Sequence, residues 1–140
     1  MTGLPEVDVA VQEESRAFWE GLTRGEIVMA WCEECDDHLW PPKAVCTSCL
    51  RPVTGSRVLS GEGEVYSFVV VHRGEGVFAD CDLYVLAYVT LDGGPTIVAK
   101  VVGSDPSAVE VGLRVRLLAR DGSAEPGHVG AAFEPVPSTP

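Results

Sequence analysis

Four of the five cysteines stand in two identical pairs, Cys32-x2-Cys35 and Cys46-x2-Cys49, with ten residues between the pairs. A Cys-x2-Cys turn aims two sulfurs at one point, and two such turns complete a tetrahedron around a single cation. Ten residues are enough for a loop that returns the second turn to the first. A redox Cys-x2-Cys usually occurs singly, and chance rarely repeats the spacing. The pattern therefore predicts one tetrahedral metal per chain, zinc, with rubredoxin-like iron as the other choice for four thiolates. Four cysteine ligands leave no coordination position open, so the expected Zn2+ is structural: it shapes a loop and does no chemistry. Cys81, the fifth cysteine, has no flanking pattern of an activated nucleophile and is expected to be an inert thiol.

Other chemistry is sparse. His38 lies near the metal ligands, but the cysteines already fill that site; His72 ends an apolar run, and His128 precedes Gly130. No His/Cys/Asp constellation, paired carboxylates or phosphate-cradling glycine loop stands out, and Gly74-Glu75-Gly76 reads as loop. Independent catalysis is not expected. Lys43, Arg51 and Arg57 form a basic stretch, residues 41–60, that contains no acid, whereas residues 1–40 carry ten acids against Arg16 and Arg24. The net charge is −11, and a closed four-thiolate zinc site takes it to about −13. A polyanion would meet net repulsion, because nucleic-acid affinity rests on Lys and Arg neutralising phosphates. A single-stranded nucleic-acid module built on a zinc ribbon and a barrel is the alternative reading. Against it, aromatics do not interleave with a basic cluster.

The elements that must position these groups follow from periodicity. Residues 9–22 read as a short helix with Val11, Phe18, Trp19 and Leu22 near one face. So short a helix must dock its aromatics, on the chain's own body or on a partner. Residues 26–31 read as a strand leading into the first cysteine pair, and Trp40-Pro41-Pro42 as a rigid loop before the second. From residue 57 the period becomes two. Residues 62–72 form a long strand, with Val65, Ser67, Val69 and Val71 on one face and Tyr66, Phe68, Val70 and His72 on the other. Both faces are largely apolar, and Gly61 and Gly63 permit a bend where the strand begins. Asp92-Gly93-Gly94-Pro95 joins strands 84–91 and 96–102 as a hairpin. A helical turn at 106–109, a strand at 113–117 with Arg114 and Arg116 outward, and a strand at 130–134 complete the series. Three strands, a short helix and two strands is the order of a five-stranded OB barrel.

The expected architecture is thus mainly β: an N-terminal helix (9–25), a zinc ribbon (26–56), an OB-fold domain (57–136) and a disordered tail (137–140). No apolar run is long enough to span a bilayer, and the N-terminus lacks a basic stretch followed by an apolar one. A cytoplasmic location is expected, with neither membrane nor nucleic acid as partner.

Four segments resemble the DUF35 family, zinc-ribbon OB-fold proteins that accompany thiolase-like and other acyl-CoA enzymes. They are Phe18-Trp19-x-Gly21-Leu22-x-x-Gly25; the two cysteine pairs around Pro41-Pro42; Gly61 through Phe68; and Val111-Gly112-Leu113-x-Val115. The resemblance runs over roughly residues 15–135 and implies a rubredoxin-like ribbon. It also implies a non-catalytic accessory subunit, bound to a thiolase-fold or hydratase partner that acts on acyl-CoA thioesters. Phe18 and Trp19 are then candidate anchors on that partner, and Lys43, Arg51 and Arg57 candidate contacts for CoA phosphates. The chain departs from the family where Asp36 and Leu50 follow the second cysteine of each pair, positions that are usually glycine. Some strain or a slightly altered turn is expected there. Leu83 also stands where the family often has proline.

Overall fold

The computed structural model describes residues 10–79, 83–118 and 131–137. A tight turn at Glu13–Ser15 leads into helix α1 (Arg16–Thr23). Strands β1 (Ile27–Cys32), β2 (Asp37–His38) and β3 (Gly55–Leu59) follow, then β4 (Glu62–Val71), β5 (Tyr84–Leu91) and β6 (Thr96–Val101). A turn at Pro106–Ala108, β7 (Arg114–Leu117) and β8 (Ala132–Pro135) complete the order. Two sheets result. One is a three-stranded antiparallel sheet, β2-β1-β3; the other is a closed barrel, β4-β5-β6-β8-β7, the five-stranded OB barrel that the strand order implies.

The helix is shorter than residues 9–22. Residues 12–15 are all polar and have nothing to bury, so the chain makes only a turn there, in which the Ser15 N–H and hydroxyl both donate to the Gln12 carbonyl. The helix ends at a glycine cap. Gly25 sits at φ +74°, its N–H donates to Leu22, and the Glu26 N–H reaches back to Gly21. Those paired bonds satisfy carbonyls that the last turn leaves open, and the conformation favours glycine. Residue 9, Cys81, His128, the loop 121–127 and residues 138–140 of the tail lie outside the described residues. The last strand falls at Ala132–Pro135, two residues later than the start expected at Gly130.

One buried cluster joins the helix, the ribbon sheet and the barrel: Phe18 and Leu22, Ile27 and Met29, and Val65, Val115 and Phe133 from the barrel wall. Phe18 is 5% exposed, its ring 5.0 Å from Trp40 and edge-on to Trp19 at 5.4 Å. Of the two docking options open to Phe18, its ring takes the chain's own core. Adjacent residues on a helix point about 100° apart, so Trp19 only packs against the edge of that core.

Strand β3 pairs along its whole length with β1, from Trp31↔Gly55 to Ile27↔Leu59. The change of pattern expected at residue 57 thus falls inside a ribbon strand that then runs on into the barrel. In β4 the alternation is interrupted by a bulge: Val65 opposes Val89, but Ser67 opposes Tyr88, leaving Tyr66 extra. An extra residue switches the faces of everything beyond it. Val65 is fully buried, whereas Val69, grouped with it by strict alternation, is 58% exposed; Phe68 and Val70 turn inward instead. Gly63 lies inside the barrel, where a Cβ would come within 2.5 Å of the Thr90 carbonyl oxygen. On β7, Val115 is buried, Leu117 packs against the core, and Arg114 and Arg116 face out, as the alternation requires.

Phe18→Ala is expected to cost about 3–5 kcal/mol of stability, read as a lower urea midpoint of the zinc-loaded chain. Loss of partner affinity with unchanged stability would contradict this burial.

Candidate metal centre

Each cysteine pair sits on a turn of the same construction. Strand β1 delivers Cys32 opposite Asp37 of β2, and the chain reverses through Glu33, Glu34, Cys35 and Asp36. At the second turn the Cys46 N–H donates to the Arg51 carbonyl and the Leu50 N–H to the Cys46 carbonyl. In both, the residue after the second cysteine is left-handed, Asp36 at φ +51° and Leu50 at φ +64°. These are the two positions at which a missing glycine was expected to strain the turn. Asp tolerates this region better than most residues, and the Asp36 carboxylate gains a partner there, accepting from Trp31 Nε1 at 3.1 Å. Leu50 has no such compensation, and its side chain is 75% exposed.

The four sulfurs lie within 4.8 Å of one another, with Cys32 to Cys49 at 3.6 Å and Cys35 to Cys46 at 4.0 Å. A Zn–S bond of about 2.3 Å requires sulfurs about 3.8 Å apart at the corners of a tetrahedron. The donor set fits zinc in number, chemistry and spacing. Cys32 and Cys46 are buried, Cys49 half-buried and Cys35 exposed.

Electrostatics points the same way. Backbone N–H groups of Cys49 and Ser48 aim at the Cys46 sulfur and lower its pKa to about 6, whereas the neighbouring Cys49 and Cys32 sulfurs push Cys35 up to about 12. Four thiolates this close cannot all form without a cation; a dication supplies the missing charge when bound.

A clamp that sequence reasoning missed ties the first turn to β3. Arg57 donates two bonds to the Glu33 carboxylate, at 2.8 and 3.1 Å, and lies 5.2 Å over the Trp31 ring. The hydrogen bond from Arg57 holds the Glu33 carboxyl below its ordinary range. A Cβ at Gly55 would collide with that carboxylate, so glycine leaves room for the pair. The available signal was register. Arg57 pairs with Met29, and Trp31 is its diagonal neighbour on the same face, within reach of a long side chain.

The three basic residues do not converge. Arg57 is held by Glu33, and Arg51 approaches Glu34 at 3.9 Å beside a groove of about 310 Å3 that Cys32 also lines. Lys43 lines a different groove, of about 400 Å3, between α1 and the ribbon, with Glu13, Phe18, Val28, Ala30 and Val53. His38 sits beside Asp37 and edge-on to Trp31.

Against known proteins, residues 19–54 match the description "ChsH2, rubredoxin-like zinc ribbon domain" and residues 56–120 match "ChsH2, C-terminal OB-fold domain". A DUF35 domain-containing scaffold protein of Methanocaldococcus jannaschii is 30% identical over 110 residues, 75% of this chain and 78% of that one. The chain belongs to the DUF35 family. The solved structure titled "Ltp2-ChsH2(DUF35) aldolase" is 27% identical, with a TM-score of 0.76 over 91% of this chain and 98% of that one. A probable enoyl-CoA hydratase alpha subunit of Thermomonospora curvata is 31% identical over 102 residues, 72% of this chain but only 32% of that subunit. The DUF35 chain therefore carries the family's ribbon with all four cysteines in place to bind one metal ion, zinc in the ribbon's description.

Two expectations follow. Cys32→Ser should lower bound zinc, measured by elemental analysis, from one per chain to well below one, and should loosen residues 30–52, because binding energy in such sites is folding energy. Leu50→Gly should raise stability by about 0.5–1 kcal/mol. It relieves a left-handed penalty of about 1–2 kcal/mol, part of which the freer unfolded chain takes back. A lower thermal midpoint for Leu50→Gly would show that the turn holds leucine without strain.

Proposed function

We propose that the chain is a non-catalytic accessory subunit of an acyl-CoA-processing enzyme, bound to a thiolase-like or hydratase subunit that performs thiolysis, aldol cleavage or acyl transfer on a CoA thioester. Degradation of a steroid side chain, an aromatic acid or a lipid is the kind of setting it suits. The observation that carries this reading is the overlap with nearly the whole of a DUF35 chain whose structure is titled as an aldolase together with Ltp2. The scaffold title of the Methanocaldococcus jannaschii relative and the hydratase-subunit title of the Thermomonospora curvata one support it. So does the metal: four cysteines saturate it, leaving no position for water or substrate.

Of the three basic candidates for CoA phosphates, Arg51 and Arg57 face carboxylates of their own. In this reading Lys43, on the groove beside α1, is the candidate that remains for a CoA phosphate.

The test is reconstitution. Thiolase-fold and hydratase subunits from the same genome, purified singly, are assayed on acyl-CoA thioesters with and without this chain. Expected are no turnover by the chain alone and a partner that needs it for activity or stability. Turnover by the isolated chain would defeat the reading, and a partner indifferent to it would make the chain dispensable.

A further inference from the structure

The outer wall of the barrel is divided in two. On one side, β7, β8 and the start of β4 present Glu62, Glu64, Arg114, Arg116 and Glu134, and ion pairs tie down both arginines. Arg114 donates to Asp92 at 3.0 Å and Arg116 to Glu134 at 3.0 Å. On the other side, beyond the bulge in β4, the outward positions change character. Tyr66 is 68% exposed, Val69 58%, Tyr88 51% and Val98 57%. Register places them together: Ser67, Tyr88 and Val98 lie in one row across β4, β5 and β6, and Val69, Leu86 and Lys100 in the next. The bulge adds Tyr66 to the first row, so that two residues of β4 face Tyr88.

Strand propensity alone favours tyrosine and valine. It does not account for this sector, because β7 of the same barrel takes arginine at its outward positions. The inward faces of these strands are already filled, by Val65, Val85, Ala87, Val89, Ile97 and Ala99, all buried. Strands apolar on both faces are strands covered on both faces.

We infer that the outer face of β4, β5 and β6 is the surface on which this chain docks its enzyme subunit. The inference rests on the accessory reading above and names the surface that carries it out. Three observations select that occupant. The first is size: three strands and two to three rows span about 10 by 14 Å between outer positions. That is too small to be a whole interface, at about 800 Å2 per partner, but right for its apolar centre. The second is what surrounds it, since the ion-paired sector continues the same wall and supplies a polar rim. The third is charge. A chain of net charge −11 opposes a second copy of itself and a polyanion alike, but not a subunit with a basic border. Tyrosines suit such a centre, with large area and few rotors.

The experiment uses the zinc-loaded chain and the purified thiolase-fold or hydratase subunit that binds it in reconstitution. Hydroxyl-radical footprinting of the wild-type complex should show Tyr66 and Tyr88 protected relative to the free chain. Tyr88→Glu and Val98→Glu should each weaken binding about thirtyfold or more, with zinc content and thermal midpoint retained. Leu50→Glu, as exposed but on the ribbon, should bind like wild type. Full affinity in folded Tyr88→Glu and Val98→Glu, or both tyrosines unprotected, would place the interface elsewhere and overturn the inference while leaving the accessory reading intact. A wild-type dimer in sedimentation that these variants dissociate would make the occupant a second copy. Salt-sensitive binding of single-stranded oligonucleotide, lost in the same variants, would make it a nucleic acid. Either result overturns the inference. A wild-type chain that binds none of the subunits defeats the accessory reading and the inference with it.

Discussion

The two cysteine turns of the ribbon hang on four sulfurs held within 4.8 Å of one another. The buried cluster of the ribbon consists of Cys32, Leu39 and Cys46, with Ala30, Cys49 and Val53 half-buried against it. Two of its three buried members are ligands, so apolar burial supplies little there. Apparent binding energies of structural zinc, about 10–16 kcal/mol in small zinc domains, exceed anything one buried leucine contributes. The constraint then propagates along the chain. Fixing Cys32 fixes the end of β1, and β1 carries Ile27 and Met29 into the core shared with the barrel. The clamp of Glu33, Arg57 and Trp31 ties the first turn to β3, which leads into β4, the barrel's first strand. Metal, ribbon sheet and barrel thus share one continuous frame.

The barrel is governed by parity. A closed five-stranded barrel has just enough interior for one layer of side chains, and Phe133, Val65, Val89 and Val115 fill it. Gly63 lets β4 come close to β5 at the point where a side chain would strike the Thr90 carbonyl oxygen. Three residues later the bulge at Tyr66 exchanges the two faces of β4. Without it Val69 would point inward and Phe68 outward. With it, the barrel receives a phenylalanine and the outer wall gains a tyrosine beside a valine.

Much of this was legible in the residues because it rests on local rules. The cysteine spacing implied the metal site, the Asp92–Pro95 turn gave the hairpin, and alternation on β7 placed Val115 inward and both arginines outward. The family resemblance marked Asp36 and Leu50 as standing where glycine is usual, with strain or an altered turn expected, and they stand at φ +51° and +64°. What was not legible depends on tertiary geometry. A bulge inside a strand with apolar residues on both faces leaves no mark in the alternation, since either parity reads as plausible. The direction of Phe18 was open for the same reason: an aromatic on a short helix must dock, but only the position of Trp40 and the barrel shows where. The Arg57 clamp needed the β1–β3 register, and the acid-free stretch 41–60 said nothing of a glutamate 24 positions upstream.

The net charge gives the outer wall its selectivity. An apolar sector on a small protein is a liability, because identical copies offer one another the same surface. Apolar attraction acts only at contact, whereas charge repulsion between two chains of −11 extends about 8–10 Å at physiological salt. Like copies are slowed before their tyrosines meet. A partner with a basic border feels the same field as attraction, and the ion-paired arginines of β7 do not cancel it, since Asp92 and Glu134 already match them. The acid excess, read from composition as a device for solubility, then also disfavours self-association through the exposed apolar sector.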